Sequence, residues 1–274
     1  MSLPSNERIA KLNSSRSDDL LLHWREFETR YSSEEECVEA LFQILTSLRK
    51  TGCKHCGTLA IERDYGARVG KCNTCRKHFS FTSGTFFERV RLVRPWLAAA
   101  WFLERGMAIS TKLFHELVGV AYSTAWMIHR KMALVIQSIM DRDKKSFVLI
   151  ASEVFAQAIC RRSRETPARQ HPHAEQVELE KNSPSQGRPK LEWQLRQCHS
   201  RPALPCATKL LRDAFHGISR KYLQIYLAEL WCKSDRGRWP GGRLLKECSR
   251  HPAITEDEVL SFISPLLVKM VPME

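Results

Sequence analysis

The chain has 274 residues, 43% hydrophobic and 27% charged, a globular balance that excludes a wholly disordered polypeptide. Its formal net charge of +13 is uneven: −2 over residues 1–50 (seven Lys/Arg against nine Asp/Glu), +9 over 51–150 (sixteen against seven) and +6 over the remainder. A basic middle favours a polyanion partner through counterion release, and no uncharged apolar run approaches the roughly 20 residues that span a bilayer, so no membrane association is expected.

The N-terminus, Met-Ser-Leu-Pro-Ser-Asn-Glu, has no secretory pattern, so a cytoplasmic protein is expected. Residues 1–32 read as a flexible polar arm followed by a short helix from Leu20 to Tyr31. Residues 33–52 form a lead-in helix. Ser33-Glu34-Glu35-Glu36 is a capping box, Cys37, Leu41, Ile44, Leu45 and Leu48 recur at helical spacing, and Arg49-Lys50 with Gly52 close it.

Residues 53–88 carry two pairs, Cys53-Lys-His-Cys56 and Cys72-Asn-Thr-Cys75, separated by fifteen residues. Without a secretory route this spacing means metal rather than disulfides. Short strands are predicted at 59–63, 67–71 and 78–82, giving a zinc ribbon in which Cys53, Cys56, Cys72 and Cys75 bind structural Zn2+. Four thiolates leave the ion no open position for a substrate. The other six cysteines show no repeated spacing and read as free thiols.

Residues 89–145 predict three helices. Pro95 opens the first and Gly106 ends it; Thr111 to Val118 is the second; Gly119 makes a turn; the third runs from Tyr122 to Met132 or beyond. This is helix-turn-helix spacing. Tyr122, Ser123 and Thr124 would then meet base edges of double-stranded DNA, and His129, Arg130 and Lys131 would meet phosphates. Phe147-Val-Leu-Ile, in segment 146–162, reads as a buried strand. Residues 163–209, punctuated by proline and rich in Arg, Gln, His and Ser, have the composition of a disordered linker. Residues 210–274 read as a helical segment. It contains a helix capped by Ser219 and carrying Tyr222, Ile225, Tyr226 and Leu230 on one face, a helix at 243–248, and a last one opened by the capping box Thr255-Glu-Asp-Glu258.

Several of these phrases together resemble bacterial insertion-sequence transposases that have an N-terminal transposase zinc ribbon and a DDE-type, ribonuclease-H-like catalytic domain. They are Cys53-x-x-Cys56-Gly57, Lys71-Cys72-x-x-Cys75, Phe79-Ser-x-Thr82-Ser-Gly-Thr85-x-Phe87, Trp96, Leu117-x-Gly119-Val120, Thr124-Ala-Trp126 and His129-Arg130. His216-Gly-Ile-Ser-Arg-Lys-Tyr-Leu with Tyr226-Leu-Ala-Glu229 resembles the family's closing helix. The resemblance implies DNA binding at element ends, DNA transposition, and a catalytic acid set holding Mg2+ or Mn2+ in an active member. A homo-oligomer and a nucleoid-associated bacterial location fit it. Where the family has its first acid in an Asp-Glu-Thr context, this chain has Ser152-Glu153-Val154, leaving Glu153 as the candidate catalytic acid. Only sixty-two residues separate Glu153 from His216, too few and too linker-like for a complete ribonuclease-H-like sheet. The expected fold class is thus mainly α, with a small β zinc ribbon, a helix-turn-helix and an incomplete or divergent ribonuclease-H-like α/β remnant. The alternative function is a non-catalytic zinc-ribbon and helix-turn-helix regulator, or a domesticated transposase remnant.

Overall fold

The computed structural model describes residues 14–59, 61–64, 69–107, 109–142, 147–150, 220–234, 237, 239–265 and 267–270. Their elements, in chain order, are α1 (Ser14–Arg30), α2 (Glu34–Ser47), β1 (Ile61–Asp64), β2 (Val69–Cys72), β3 (His78–Ser80), α3 (Arg94–Glu104), α4 (Thr111–Val118), α5 (Tyr122–Arg142) and β4 (Phe147–Ile150). A short 3-10 turn (Arg220–Tyr222) then leads into α6 (Leu223–Ser234), followed by α7 (Arg243–Arg250), α8 (Glu256–Ser261) and β5 (Leu267–Met270). The described chain is mainly helical with a small antiparallel sheet, as its composition and periodicity predict. Among the described residues, no helix is long and apolar enough to cross a membrane.

The chain divides into two compact units, residues 1–129 with 239–255, and residues 130–238 with 256–274. Proximity in sequence does not decide membership: Trp239–Thr255 belongs with the N-terminal unit rather than with its neighbours in the expected 210–274 segment.

In the first unit the local signals work as written. Ser33 accepts the Glu36 amide at 3.2 Å, and the Glu36 carboxylate accepts the Ser33 amide at 3.3 Å, completing the capping box of α2. The adjacent Glu34 reaches further, accepting the Val93 and Arg94 amides at 2.6 and 3.0 Å. One acid in the first turn of α2 thereby caps α3, whose Pro95 sits where a missing N–H costs nothing. Between α1 and α3 lies an aromatic core. Phe27 is fully buried, its ring 5.4 Å from Trp24 and 5.9 Å from Trp101, and Phe102 stacks on Trp24 at 6.2 Å. Helix α1 starts at Ser14, six residues earlier than its apolar pattern suggests.

Glu104, at the end of α3, ties this unit to a segment far along the chain. Its carboxylate, 7% exposed, accepts the amides of Gly242, Leu244 and Leu245 at 2.6, 2.7 and 3.3 Å, capping the N-terminus of α7. Burial holds the Glu104 carboxyl above its ordinary range, the three amides pulling in the opposite direction. Gly242 has φ +84°, the left-handed region a side chain would resist.

In the second unit, β4 pairs antiparallel with β5, Phe147 opposite Met270 and Ile150 opposite Leu267. Strand β4 is as the sequence predicts; β5 is not predicted, a four-residue, mostly apolar stretch between Pro265 and Pro272 too short to carry a pattern of its own. Helix α6 also differs from expectation. Leu223, Gln224, Ile225, Leu227, Ala228, Leu230, Trp231 and Cys232 are all buried, so the helix is enclosed on all sides instead of on one face. The buried Gln224 side chain satisfies itself as a strand would, accepting the Lys269 amide at 2.6 Å and donating to the Lys269 carbonyl at 3.0 Å.

Candidate metal centre

The ribbon is a three-stranded sheet of order β1-β2-β3, antiparallel throughout, with Ile61 opposite Cys72 and Gly70 opposite Phe79. It docks on α2 through one buried cation. The Arg63 side chain, 2% exposed, pairs with Glu35 and, at 2.6 Å, with Glu39, and the Phe42 and Phe81 rings meet edge-on at 5.2 Å. Two of the lead-in helix acids are therefore committed to holding the ribbon in place.

Each cysteine pair sits on a tight turn, and the two turns repeat one hydrogen-bond pattern. Gly57 donates to the Cys53 carbonyl at 2.8 Å and Cys53 donates to Thr58 at 2.9 Å; Arg76 donates to the Cys72 carbonyl at 2.9 Å and Cys72 donates to Lys77 at 3.0 Å. Both turns need a left-handed residue directly after the second cysteine. Gly57 supplies it at φ +73°, and Arg76 adopts it at φ +63°.

The four sulfurs converge. Cys53 and Cys75 Sγ are 3.4 Å apart, Cys56 and Cys72 Sγ 3.5 Å, and all four lie within 4.8 Å of one another. That spacing lets one metal ion be held by all four. Cys53 and Cys72 are buried, Cys75 is half-buried and Cys56 is exposed. Backbone amides point at the sulfurs: His55 at Cys53 (3.4 Å), and Thr74 and Cys75 at Cys72 (3.3 Å each). Burial raises the Cys72 thiol, but the Cys75 and Thr74 amides with the neighbouring sulfurs outweigh it and bring it down to about 6. The Thr58 amide favours the Cys56 thiolate, yet burial and the neighbouring sulfurs push that thiol up to about 12. Cys53 is likewise drawn down and Cys75 pushed up, so two thiols favour the thiolate and two oppose it, a crowding of charge that a bound cation would relieve. The donor set, its spacing and its amide shell fit a metal ion.

The helix pair predicted to meet DNA follows the ribbon. Ser110 caps α4, accepting the Leu113 amide at 3.2 Å, and Gly119 ends it at φ +76°, donating to His115 at 3.0 Å. At the start of α5, Ala125, Ile128 and Met132 are fully buried while Tyr122, Ser123 and Thr124 are exposed, Tyr122 at 54%. Those three residues occupy the open first turn of the helix, where amides have no intrahelical partner.

The three residues predicted to meet phosphates are enclosed to different degrees. His129 is half-buried, its ring 4.8 Å from Phe114. Arg130 is 6% exposed, donates to the Tyr226 hydroxyl at 2.6 Å and lies over the Tyr226 and Tyr222 rings at 4.4 and 4.8 Å. Its guanidinium is an internal strut of the second unit, withheld from any phosphate by two tyrosines. Lys131 is half-buried, and burial lowers its pKa while Glu256 and Glu258 hold it up, so its charge already faces acids. Helix α5 also runs ten residues past Met132, to Arg142, and the part beyond His129 serves the second unit's interior.

Glu153 and Ser152 lie outside the described residues, as do Ser219 and the 163–209 segment. Glu229 is within them, 5% exposed and 3.6 Å from Lys233, a buried ion pair one helical turn apart. No family model matches the chain, and neither the curated proteins nor the solved structures include one significantly similar to it.

Proposed function

We propose that this protein binds double-stranded DNA as an insertion-sequence transposase would, recognising element ends, with a catalytic centre that is degenerate. Zn2+ is the proposed metal. Zn–thiolate bonds of about 2.3 Å in a tetrahedron space the sulfurs by roughly 3.8 Å, close to the 3.4 and 3.5 Å of the nearer pairs and inside the 4.8 Å limit of the set. Such an ion is structural, fixing two turns whose own apolar content is small. Helices α4 and α5 are the proposed helix-turn-helix.

The observation that carries this reading is the split of α5's first turns. Ala125, Ile128 and Met132 are fully buried, while Tyr122, Ser123 and Thr124 stand exposed at a helix N-terminus reached through a left-handed glycine, next in the chain to a four-cysteine ribbon. Exposed hydroxyls and open amides at that end suit base edges and phosphates. The test is fluorescence anisotropy of the full-length protein on duplexes carrying whatever inverted repeats flank its coding region, against scrambled duplexes; a coding region without such repeats would refute the element-end reading. Ser123→Ala with Thr124→Ala should reduce the preference for repeats about tenfold or more while leaving the scrambled affinity nearly unchanged. Equal affinity of the unaltered protein for both duplexes would refute recognition of element ends.

A second reading, a non-catalytic regulator or domesticated remnant built from the same two modules, is favoured by Ser152 standing where the resembled family has an aspartate. Nicking assays with Mg2+ or Mn2+ separate the two. Cleavage that is lost in Glu153→Ala would overturn degeneracy and establish an enzyme.

A further inference from the structure

Three residues other than glycine have a left-handed backbone among the described residues, and all three are arginine: Arg49 at φ +53°, Arg76 at +63° and Arg89 at +60°. That conformation is disfavoured for any residue with a Cβ, and glycine or asparagine is its usual occupant. Arg76 makes the point internally, because the matching position of the other knuckle is Gly57. At three separate turns the backbone would be better served by glycine, and each turn carries a guanidinium instead. Strain of this kind gathers where a side chain's chemistry outweighs its local cost.

The three turns flank the two cysteine pairs along the chain. Arg76 follows Cys75 directly. Arg49 precedes Cys53 by four residues, so its Cα lies within about 14 Å of it by chain reach alone. Lys54, beside Cys53, donates to the Ser83 hydroxyl, which ties the first knuckle to the segment that turns back at Thr82–Thr85, Thr85–Glu88 and Phe87–Val90 and presents Arg89. Lys50, Lys54 and Lys77 are exposed around the same turns, and Arg89 is 92% exposed at its side chain.

Several buried or half-buried cations of the fold have acids: Arg63 has Glu35 and Glu39, Arg94 has Glu28, Arg105 has Glu26. The ribbon acids whose side chains are described are already engaged. Glu62 accepts from Asn73, and Glu88 accepts the Gly84 amide and lies 3.9 Å from Arg89, a loose pair. Among the described residues Arg49, Lys50, Arg76 and Lys77 have no carboxylate partner.

We infer that Arg49, Arg76 and Arg89, with Lys50, Lys54 and Lys77, form a phosphate-contacting surface that grips the backbone of duplex DNA irrespective of sequence, a role that Arg130 and Lys131 are too enclosed to fill. This rests on the DNA-binding reading above and assigns its electrostatic part to the ribbon. Guanidinium forks on fixed turns bind phosphate oxygens in two-point fashion with little ordering cost. Among the described residues of this stretch the exposed large apolar side chains are Leu59 and Leu92, neither a flat ring for unpaired bases, and a duplex is the partner proposed.

The test uses the full-length protein, a duplex of about 30 random base pairs, and a salt titration of affinity. Arg49→Gly, Arg76→Gly and Arg89→Gly are combined in one variant, and Arg243→Gln, Lys246→Gln and Arg250→Gln on α7 in a charge-matched control. The arginine variant should melt at the same temperature or a few degrees higher, while its log–log salt slope falls by about 2 to 3, near 0.9 per phosphate lost. The control should keep the wild-type slope. An unchanged slope in the arginine variant, where the wild type binds duplex, overturns the surface and leaves the DNA reading standing. A slope lost equally in the control, a lowered melting temperature in the arginine variant, or tighter binding to a single strand of the same sequence each overturn it as well. A wild type that binds no duplex even at low salt removes the DNA reading itself.

Discussion

The ribbon and the aromatic core between α1 and α3 belong to one compact unit and are held together by different means. Between α1 and α3, Phe27 and Phe102 are fully buried beside Trp24, and the cohesion is apolar area and ring contact. In the ribbon the buried residues include Cys53, Cys72 and the paired Arg63, and two strands have only four residues and the third three. Such a sheet excludes too little water to close on its own account. Cohesion that is spread over many contacts tolerates local loss, whereas cohesion concentrated in four sulfurs is lost as a block.

That contrast can be broken most directly at the sulfurs. Cys72→Ser should abolish metal binding, measured as the mass difference between native and denatured protein, and remove on the order of 10 kcal/mol of coupled folding energy from the ribbon. Amide exchange should then accelerate over 53–80 and stay slow in α3. A native mass with no bound metal in the unaltered protein would contradict the whole contrast. On the other side, Phe102→Ala should cost about 3–5 kcal/mol in denaturant unfolding of the helical part and leave the metal content unchanged. Loss of metal in that variant would mean the two regions fold as one.

A finer comparison lies within the ribbon, between its matched turns. Arg76→Gly should stabilise by about 1 kcal/mol and Gly57→Ala destabilise by a similar amount, because only the second forces a Cβ into a left-handed turn. Equal and opposite shifts in the chelator concentration needed to strip the metal would confirm that the knuckles are equivalent. Smallest of all should be the pH effect at Glu104. Its folded-state pKa is raised by burial, so the folded state binds a proton more readily than the unfolded chain does. Its ionisation therefore costs stability above the folded pKa, and that cost is relieved as pH falls through it toward the ordinary carboxylate range. Acidifying from neutrality into that range should shift the stability difference between wild type and Glu104→Gln in favour of wild type. A difference that is flat with pH would show the three amides fully offsetting burial.

Much of the metal centre was legible before any coordinates, since Cys-x-x-Cys spacing is itself the geometry of a knuckle and each turn closes within six residues. The strands of the ribbon, the capping box at Ser33, the start of α3 at Pro95 and the turn at Gly119 were readable for the same reason: each is set by neighbours along the chain. Strand β5 escaped notice because its partner lies over a hundred residues away, and four residues carry too little pattern to be recognised alone. The left-handed arginines escaped too, although the repeated Cys-x-x-Cys turn, with Gly57 after one pair and Arg76 after the other, held the clue.

What the sequence determined by itself, then, is local: the positions of the cysteines, the caps, the turns, and a basic middle third. Tertiary structure decided which charges face water. His129-Arg130-Lys131 reads along the chain as an exposed basic end, yet Arg130 is claimed by Tyr226 and Tyr222 from ninety residues on, and Lys131 faces Glu256 and Glu258. Glu104 looks like a surface acid at a helix end and is instead the buried cap of α7. The reason is physical. A hydrogen bond between neighbours is fixed by backbone geometry that the sequence encodes directly, whereas the desolvation that turns a charge into a strut depends on which distant side chains close over it.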